Sequence, residues 1–229
     1  MRAMATVTTT ALCLLASAAL AGCGGGATGE DRSAGAILDE ANARMRKLES
    51  VTVDITNRTT SSGTVTSHLE TDLDGRCRSN TTWSMGGALE QIRMDETDYV
   101  RPDRAYLQKW KNKPGVTDEQ RLWVKTPVRQ GAAGGVGLTS CQRPFDSFGT
   151  AKKGASTRVG DTEAIELIVT DKADKAGTYT FYVAQEGEPY LLKTVYKSAA
   201  QRTTTSFSGF DEPLNVRAPK PGEVLSAGG

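Results

Sequence analysis

The chain has 229 residues, with 28 Lys and Arg set against 27 Asp and Glu and a single His. A formal net charge of +1 without any Lys/Arg cluster excludes a surface that tracks phosphates, so no nucleic-acid partner is expected. One His, no Gly-x-Ser-x-Gly elbow and cysteines without paired zinc spacing leave no nucleophile-base pair or metal set, so no catalysis, metal or cofactor is expected.

The chain opens with Arg2 and an apolar run from Ala11 to Ala21, the layout of a secretory signal. Crossing a bilayer as a helix takes about 20 apolar residues, which this run does not supply. Leu20-Ala21-Gly22-Cys23 resembles the bacterial lipobox, which implies that the Cys23 thiol receives a diacylglyceryl group and becomes the mature N-terminus. Two acyl chains anchor stably where one binds only marginally. Residues 1–22 are therefore expected to be a lipoprotein signal peptide, and 23–32 a lipidated Cys and a flexible tether through Gly24-Gly25-Gly26-Ala27-Thr28-Gly29. Residues 33–229 are of a length that suits one domain, held at the extracytoplasmic face of the cell membrane. Loss of Arg2 leaves 27 basic and 27 acidic side chains, a formally neutral mature protein.

Cys13 leaves with the signal and Cys23 is acylated, so Cys77 and Cys141 remain. In an oxidising compartment an even pair is most simply a disulfide, contributing roughly 4 kcal/mol by loop closure. Two buried free thiols are the alternative.

Ser33 offers an N-cap, and Ile37, Leu38, Ala41, Met45 and Leu48 recur at helical spacing, which predicts an amphipathic helix over about 34–49 with its apolar stripe against a sheet. From Ser50 the period changes to two. Val51, Val53 and Ile55 alternate with polar residues, Ser61-Ser62-Gly63 marks a turn, and Val65, Leu69 and Leu73 follow. Further strands are expected around Trp83 and Met85, Ile92 and Met94, Tyr99 to Arg101, Ala105 to Trp110, and Leu122 to Lys125. Turns at Gly86-Gly87, Pro102-Asp103 and Pro114-Gly115 separate them.

Residues 127–156 break the pattern. Gly131 to Gly137 is too glycine-rich for a helix, while Leu138, Cys141, Phe145 and Phe148 have something to bury, which predicts a loop or broken helix tied down through Cys141. Ile165, Leu167 and Val169 then share one strand face, Tyr179, Phe181 and Val183 the next, and Tyr190 to Lys197 and Thr203 to Phe207 complete an antiparallel run. Pro213, Pro219 and Pro221 predict an extended tail laid along the sheet.

The runs Gly160-Asp161-Thr162-Glu163-Ala164-Ile165-Glu166-Leu167, Gly177-Thr178-Tyr179-Thr180-Phe181-Tyr182-Val183-Ala184 and Glu188-Pro189-Tyr190-Leu191-Leu192-Lys193, with Phe207-Ser208-Gly209-Phe210-Asp211-Glu212-Pro213 and Val216 to Pro219, resemble the LolA-like, LppX/LprG-type lipoproteins of actinobacteria. The resemblance implies an α+β, mainly antiparallel β fold. Its frame is a curved half-barrel of about eleven strands, with an N-terminal helix and a short helical or loop plug on the concave face. It also implies an apolar cavity for the acyl chains of a lipid, glycolipid or lipoprotein. Where relatives carry helices that roof the cavity, this sequence has Gly131 to Gly137.

Trp83, Met85, Met94, Leu107, Trp123, Ile165, Leu167, Phe181, Val183 and Leu192 are the candidates for the concave face and for lining a lipid pocket. Two functions follow from the anchor and the fold. One is a non-catalytic lipoprotein that binds or carries a lipid or acylated ligand. The other is an anchored sensor or interaction module with a filled core and an envelope-protein partner.

Overall fold

The computed structural model describes residues 32–110, 122–128, 138–147 and 149–225. The leader, Cys23, the tether, Pro114-Gly115, Gly131 to Gly137 and Phe148 lie outside them. Among the described residues no helix is long and apolar enough to cross a membrane.

Helix α1 spans Ala34–Met45, capped by Ser33, whose Oγ accepts from the Ala36 amide at 3.1 Å. It ends at Arg46, which donates back to Asn42, so it is shorter than the apolar spacing predicts. Ile37, Leu38, Ala41 and Met45 are buried, and Leu48 stays buried beyond the helix end. Burial of each of the larger side chains contributes about 1.5–3 kcal/mol.

Among the described residues, eleven strands form one unclosed antiparallel sheet, a curved half-barrel. Strands β1 (Val51–Thr59), β2 (Gly63–Thr71), β3 (Arg76–Trp83), β4 (Ala88–Met94), β5 (Thr97–Pro102) and β6 (Val124–Pro127) step outward from the middle to one edge. Strands β7 (Thr150–Val159), β8 (Thr162–Thr170), β9 (Gly177–Ala184), β10 (Leu191–Ser198) and β11 (Gln201–Ser208) start at the other edge and step back. They close on β1, where Val53 faces Phe207 and Ile55 faces Thr205. Each half is a meander held by short turns, and the two halves meet through the first and last strands.

This topology puts β6 and β7 at opposite edges of the sheet, and residues 138–147 lie between them on one face. Cys141 is joined to Cys77 on β3, with Cα atoms 5.4 Å apart. Phe145 packs edge-on against Phe207 of β11, ring centroids 5.8 Å apart. Residues 138–147 therefore run as a strap across the face that α1 also covers, here called inner, over β3, β2, β1 and β11. Asn42 of α1 donates to Ser147, and Arg46 donates to the Phe145 carbonyl at 3.0 Å, so helix and strap are bonded to each other.

Two expectations are corrected. Ala105 to Trp110 is not a strand, because helix α2 spans Arg104–Trp110. Pro102 ends β5, and the Asp103 carboxylate accepts from the Tyr106 amide at 2.6 Å, which starts a helix where side-chain alternation alone suggests a strand. Residues 150–159 form the edge strand β7 rather than part of the break. Its sequence, with Lys152, Lys153 and Gly154, lacks apolar alternation because an edge strand is held mainly by backbone pairing to its one neighbour, here β8.

Candidate functional site

The inner face has two chemically different halves. On β8 and β9 it is apolar, extended by Leu191 of β10 and Phe207 of β11. Ile165 faces Val183, Leu167 faces Phe181 and Val169 faces Tyr179, so the alternation along β8 and β9 stacks into one cross-strand surface. Leu167, Val169, Val183 and Leu191 are buried in one cluster with Ile37, Leu38, Ala41 and Met45 of α1 and with Phe145 of the strap. Ile55, Ile165, Tyr179, Phe181 and Phe207 pack against that cluster yet remain only partly buried. Burial raises the Tyr179 hydroxyl above its ordinary value, with the charges of Asp174, Tyr196 and Asp171 adding to it.

On β2 to β5 the inner face carries a set of polar side chains beside the buried Leu69 and Leu89. Register lines up Thr71 with Cys77, Leu69 with Ser79, Ser79 with Gln91 and Arg93 with Asp98. Ser79 donates to Gln91 Oε1 at 3.3 Å, and Gln91 Nε2 donates to Asp98 Oδ1 at 2.9 Å. Arg93 grips both Asp98 oxygens, at 2.8 and 2.7 Å, with the side chains only 15% and 3% exposed. Gln91 also takes both backbone groups of Thr139, accepting from its amide at 2.8 Å and donating to its carbonyl at 3.2 Å. Thr71 donates to the Cys141 carbonyl at 2.7 Å. These side chains satisfy the Thr139 amide and carbonyl and the Cys141 carbonyl of the strap, which among the described residues pairs with no strand. Beside it lies a pocket of about 260 Å³, lined mainly by Asp74, Arg93, Asp95, Glu96, Ser140 and Gln142.

Along the strap Cys141 and Phe145 are buried while Gln142, Pro144 and Asp146 are exposed, so alternate residues turn toward the sheet. Arg143 belongs to the inward set and is partly buried. Its Nε and Nη2 atoms are buried without a hydrogen-bonding partner, and burial lowers its pKa from the ordinary arginine value.

At the helix end, Arg44 joins three segments. It donates to Glu188 at 2.8 Å, to the Tyr190 hydroxyl at 2.6 Å and to Asp211 at 3.0 Å, with its guanidinium 4.7 Å from the Tyr190 ring centroid. Tyr190 in turn stacks on Phe210, rings 4.0 Å apart and parallel within 2°. The Asp211 carboxyl is held below its ordinary value by the Glu49 amide first, against opposing desolvation, and then by Arg44.

Ile165, Leu167, Phe181 and Val183 are thus brought together on the inner face. Trp83 stands at the end of β3 in line with Thr81 and Ser79, its ring 5.3 Å from that of Tyr106. Leu107 is on α2, next to the buried Tyr106. Met85 is 52% exposed in the turn after β3. Leu192 is buried at the β10 bulge, outside the inner cluster. Met94 and Trp123 lie in a second cluster with Ile92, Tyr99, Leu214, Val216 and Val224, on the opposite face from Gln91 and Arg93. The C-terminal tail makes this cluster. It passes over the outer face, buries Val216 and ends in a parallel bridge of Val224 to Trp123, whose ring also lies 4.5 Å from the Arg101 guanidinium.

The inward polar set on β2 to β5, Arg143 and the Arg44 junction were not among the sequence candidates. The one available signal was the polar run Arg76 to Thr82, whose alternate residues Cys77, Ser79 and Thr81 are the buried ones.

No protein-family model matches the chain, and no curated protein is similar to it in sequence. Among solved structures it is similar to LprF from Mycobacterium bovis, at 12% identity and a TM-score of 0.55, over 80% of this chain and 95% of that one. It is likewise similar to the Mycobacterium tuberculosis lipoprotein LppX, at 12% identity and a TM-score of 0.52, over 81% of this chain and the whole of the other. The disulfide between Cys77 and Cys141 is formed, and the fold that residues 158–219 resemble is the one the chain has. By its single curved sheet and N-terminal helix, the chain has the fold of LprF from Mycobacterium bovis and of the Mycobacterium tuberculosis lipoprotein LppX.

Proposed function

We propose that the protein is a non-catalytic lipoprotein, anchored through Cys23 at the extracytoplasmic face of the cell membrane, that binds or carries a lipid or acylated ligand in its half-barrel. The observation that carries this reading is the part-open apolar surface on β8 to β11. Phe181, Tyr179, Ile165, Ile55 and Phe207 continue the buried cluster without being covered by α1 or the strap to the same degree. Aromatic and aliphatic side chains in that state accept an acyl chain at little reorganisation cost, because the surface is already assembled and each covered methylene is worth about 0.8 kcal/mol. Cys23 would hold the domain within reach of the membrane through the glycine-rich tether, and residues 33–229 would act as one domain.

A second reading has its own observation. The strap and the polar set from Thr71 to Asp98 occupy the inner face of β2 to β5, as a filled core for an anchored interaction module with an envelope-protein partner would. Native mass spectrometry of the Cys23→Ser chain, exported in a bacterial host, separates them. A bound lipid near one per chain, lost in Phe181→Asp, is expected for the carrier. A clean apo mass with no uptake from added lipids would refute the carrier reading and leave the module.

A further inference from the structure

Arg143 presents an unmet demand inside the fold. The strap is pinned at Cys141 over β3 and at Phe145 over β11, so residue 143 lies over the strands between them, β1 and β2. Alternation turns its side chain to the sheet, and two guanidinium nitrogens are buried with no acceptor. Leaving a charge in that state costs several times an ordinary hydrogen bond, and proteins avoid it unless an anion arrives. No such demand exists at Arg44, Arg93 or Arg101, each of which meets a carboxylate.

We infer that Arg143 is the contact for an anionic head group, phosphate or carboxylate, of the ligand whose acyl part lies on β8 to β11. The acyl half of this inference rests on the carrier reading above, whereas the anion does not. A guanidinium offers a paired fork of donors to a phosphate or carboxylate, and such charge-assisted bonds are roughly twice as strong as neutral ones. The strap thereby becomes a selectivity element: its Arg143 favours acidic amphiphiles over neutral ones of equal chain length.

The test uses the Cys23→Ser chain and three probes in isothermal titration: 1-myristoyl lysophosphatidylglycerol, monomyristin and inorganic phosphate. The lysophospholipid is expected to bind at least about tenfold more tightly than monomyristin, the scale of one charge-assisted pair. Arg143→Met should bring it down to the monomyristin value while leaving monomyristin unchanged, and Arg143→Lys should keep part of the preference. Because the variant removes two buried donor nitrogens that have no acceptor, apo Arg143→Met should melt at or above the wild type, which a purely structural arginine would not allow. Equal binding of the two lipids by the wild type, or a preference that survives in Arg143→Met, overturns the inference and leaves the carrier reading standing. Arg143-dependent phosphate binding without uptake of either lipid would assign the site to a free anion and sink the carrier reading. Binding of none of the three overturns both.

Discussion

Replacing both disulfide cysteines, Cys77→Ala with Cys141→Ala, unties the strap from β3. The bridge spans 64 residues, and closing a loop of that length removes about 4 kcal/mol of entropy advantage from the unfolded chain. Both cysteines are buried, at 0% and 1% exposure, so little solvation of the native state changes with them. For a chain of about 200 residues each kcal/mol moves the midpoint by about 2–4 °C, so the melting temperature should fall by about 10 °C. Scanning calorimetry of the Cys23→Ser chain with and without the two replacements measures this. Hydrogen exchange localises it, because the Thr139 amide, which donates to Gln91, should lose protection before the amides of β8 and β9 do. A fall of less than about 2 °C, or uniform loss of protection, would refute the view that the bridge chiefly fastens the strap.

Asp98→Ala should destabilise by about 3–5 kcal/mol in urea titration, because it leaves the Arg93 guanidinium and Gln91 amide buried without their acceptor. The pair Arg93→Met with Asp98→Leu should recover most of that loss, and failure to do so would mean that the strap needs the charges themselves. Asp211 has a folded pKa below its ordinary 3.8, set first by the Glu49 amide, so its contribution is fully present above that value and is lost as the pH falls through the lower, folded one. Asp211→Asn should therefore flatten the fall in stability below about pH 4 and leave its pH dependence near neutrality unchanged, as thermal melts across that range would record. Val216→Asp should detach the tail from Ile92 and Trp123, so that trypsin cuts after Arg217 much faster than in the wild type. Unchanged digestion would show that the tail is held elsewhere.

The strongest sequence signals and the strongest structural ones coincide in the last third of the chain. The period-two apolar residues of 165–169 and 179–183 pair across β8 and β9 in the register that alternation predicts, because both strands bury one face against α1. Helix α1 was legible for the same reason, a cap followed by an apolar stripe. Strand β4 marks the limit. Its apolar residues Ile92 and Met94 do share a face, but it is the outer one, covered by the tail, while the inner face carries Gln91 and Arg93. Alternation reports which residues lie together and is silent about which side another segment covers. Strand β7 was hidden because an edge strand needs backbone pairing more than apolar side chains.

By itself, then, the amino-acid sequence determined the run of antiparallel strands and the helix against them, because both are written in local spacing. The half-barrel came from the family resemblance, and the cysteine count favoured the Cys77–Cys141 bridge that the structure forms. Only the tertiary structure decided that residues 138–147 cross the inner face, that polar side chains on β2 to β5 hold them there, and that Arg143 arrives under the strap without a partner. The physical reason is that a hydrogen bond between Gln91 and Thr139, or its absence at Arg143, depends on segments far apart in the chain meeting on one face, and no local period encodes that meeting.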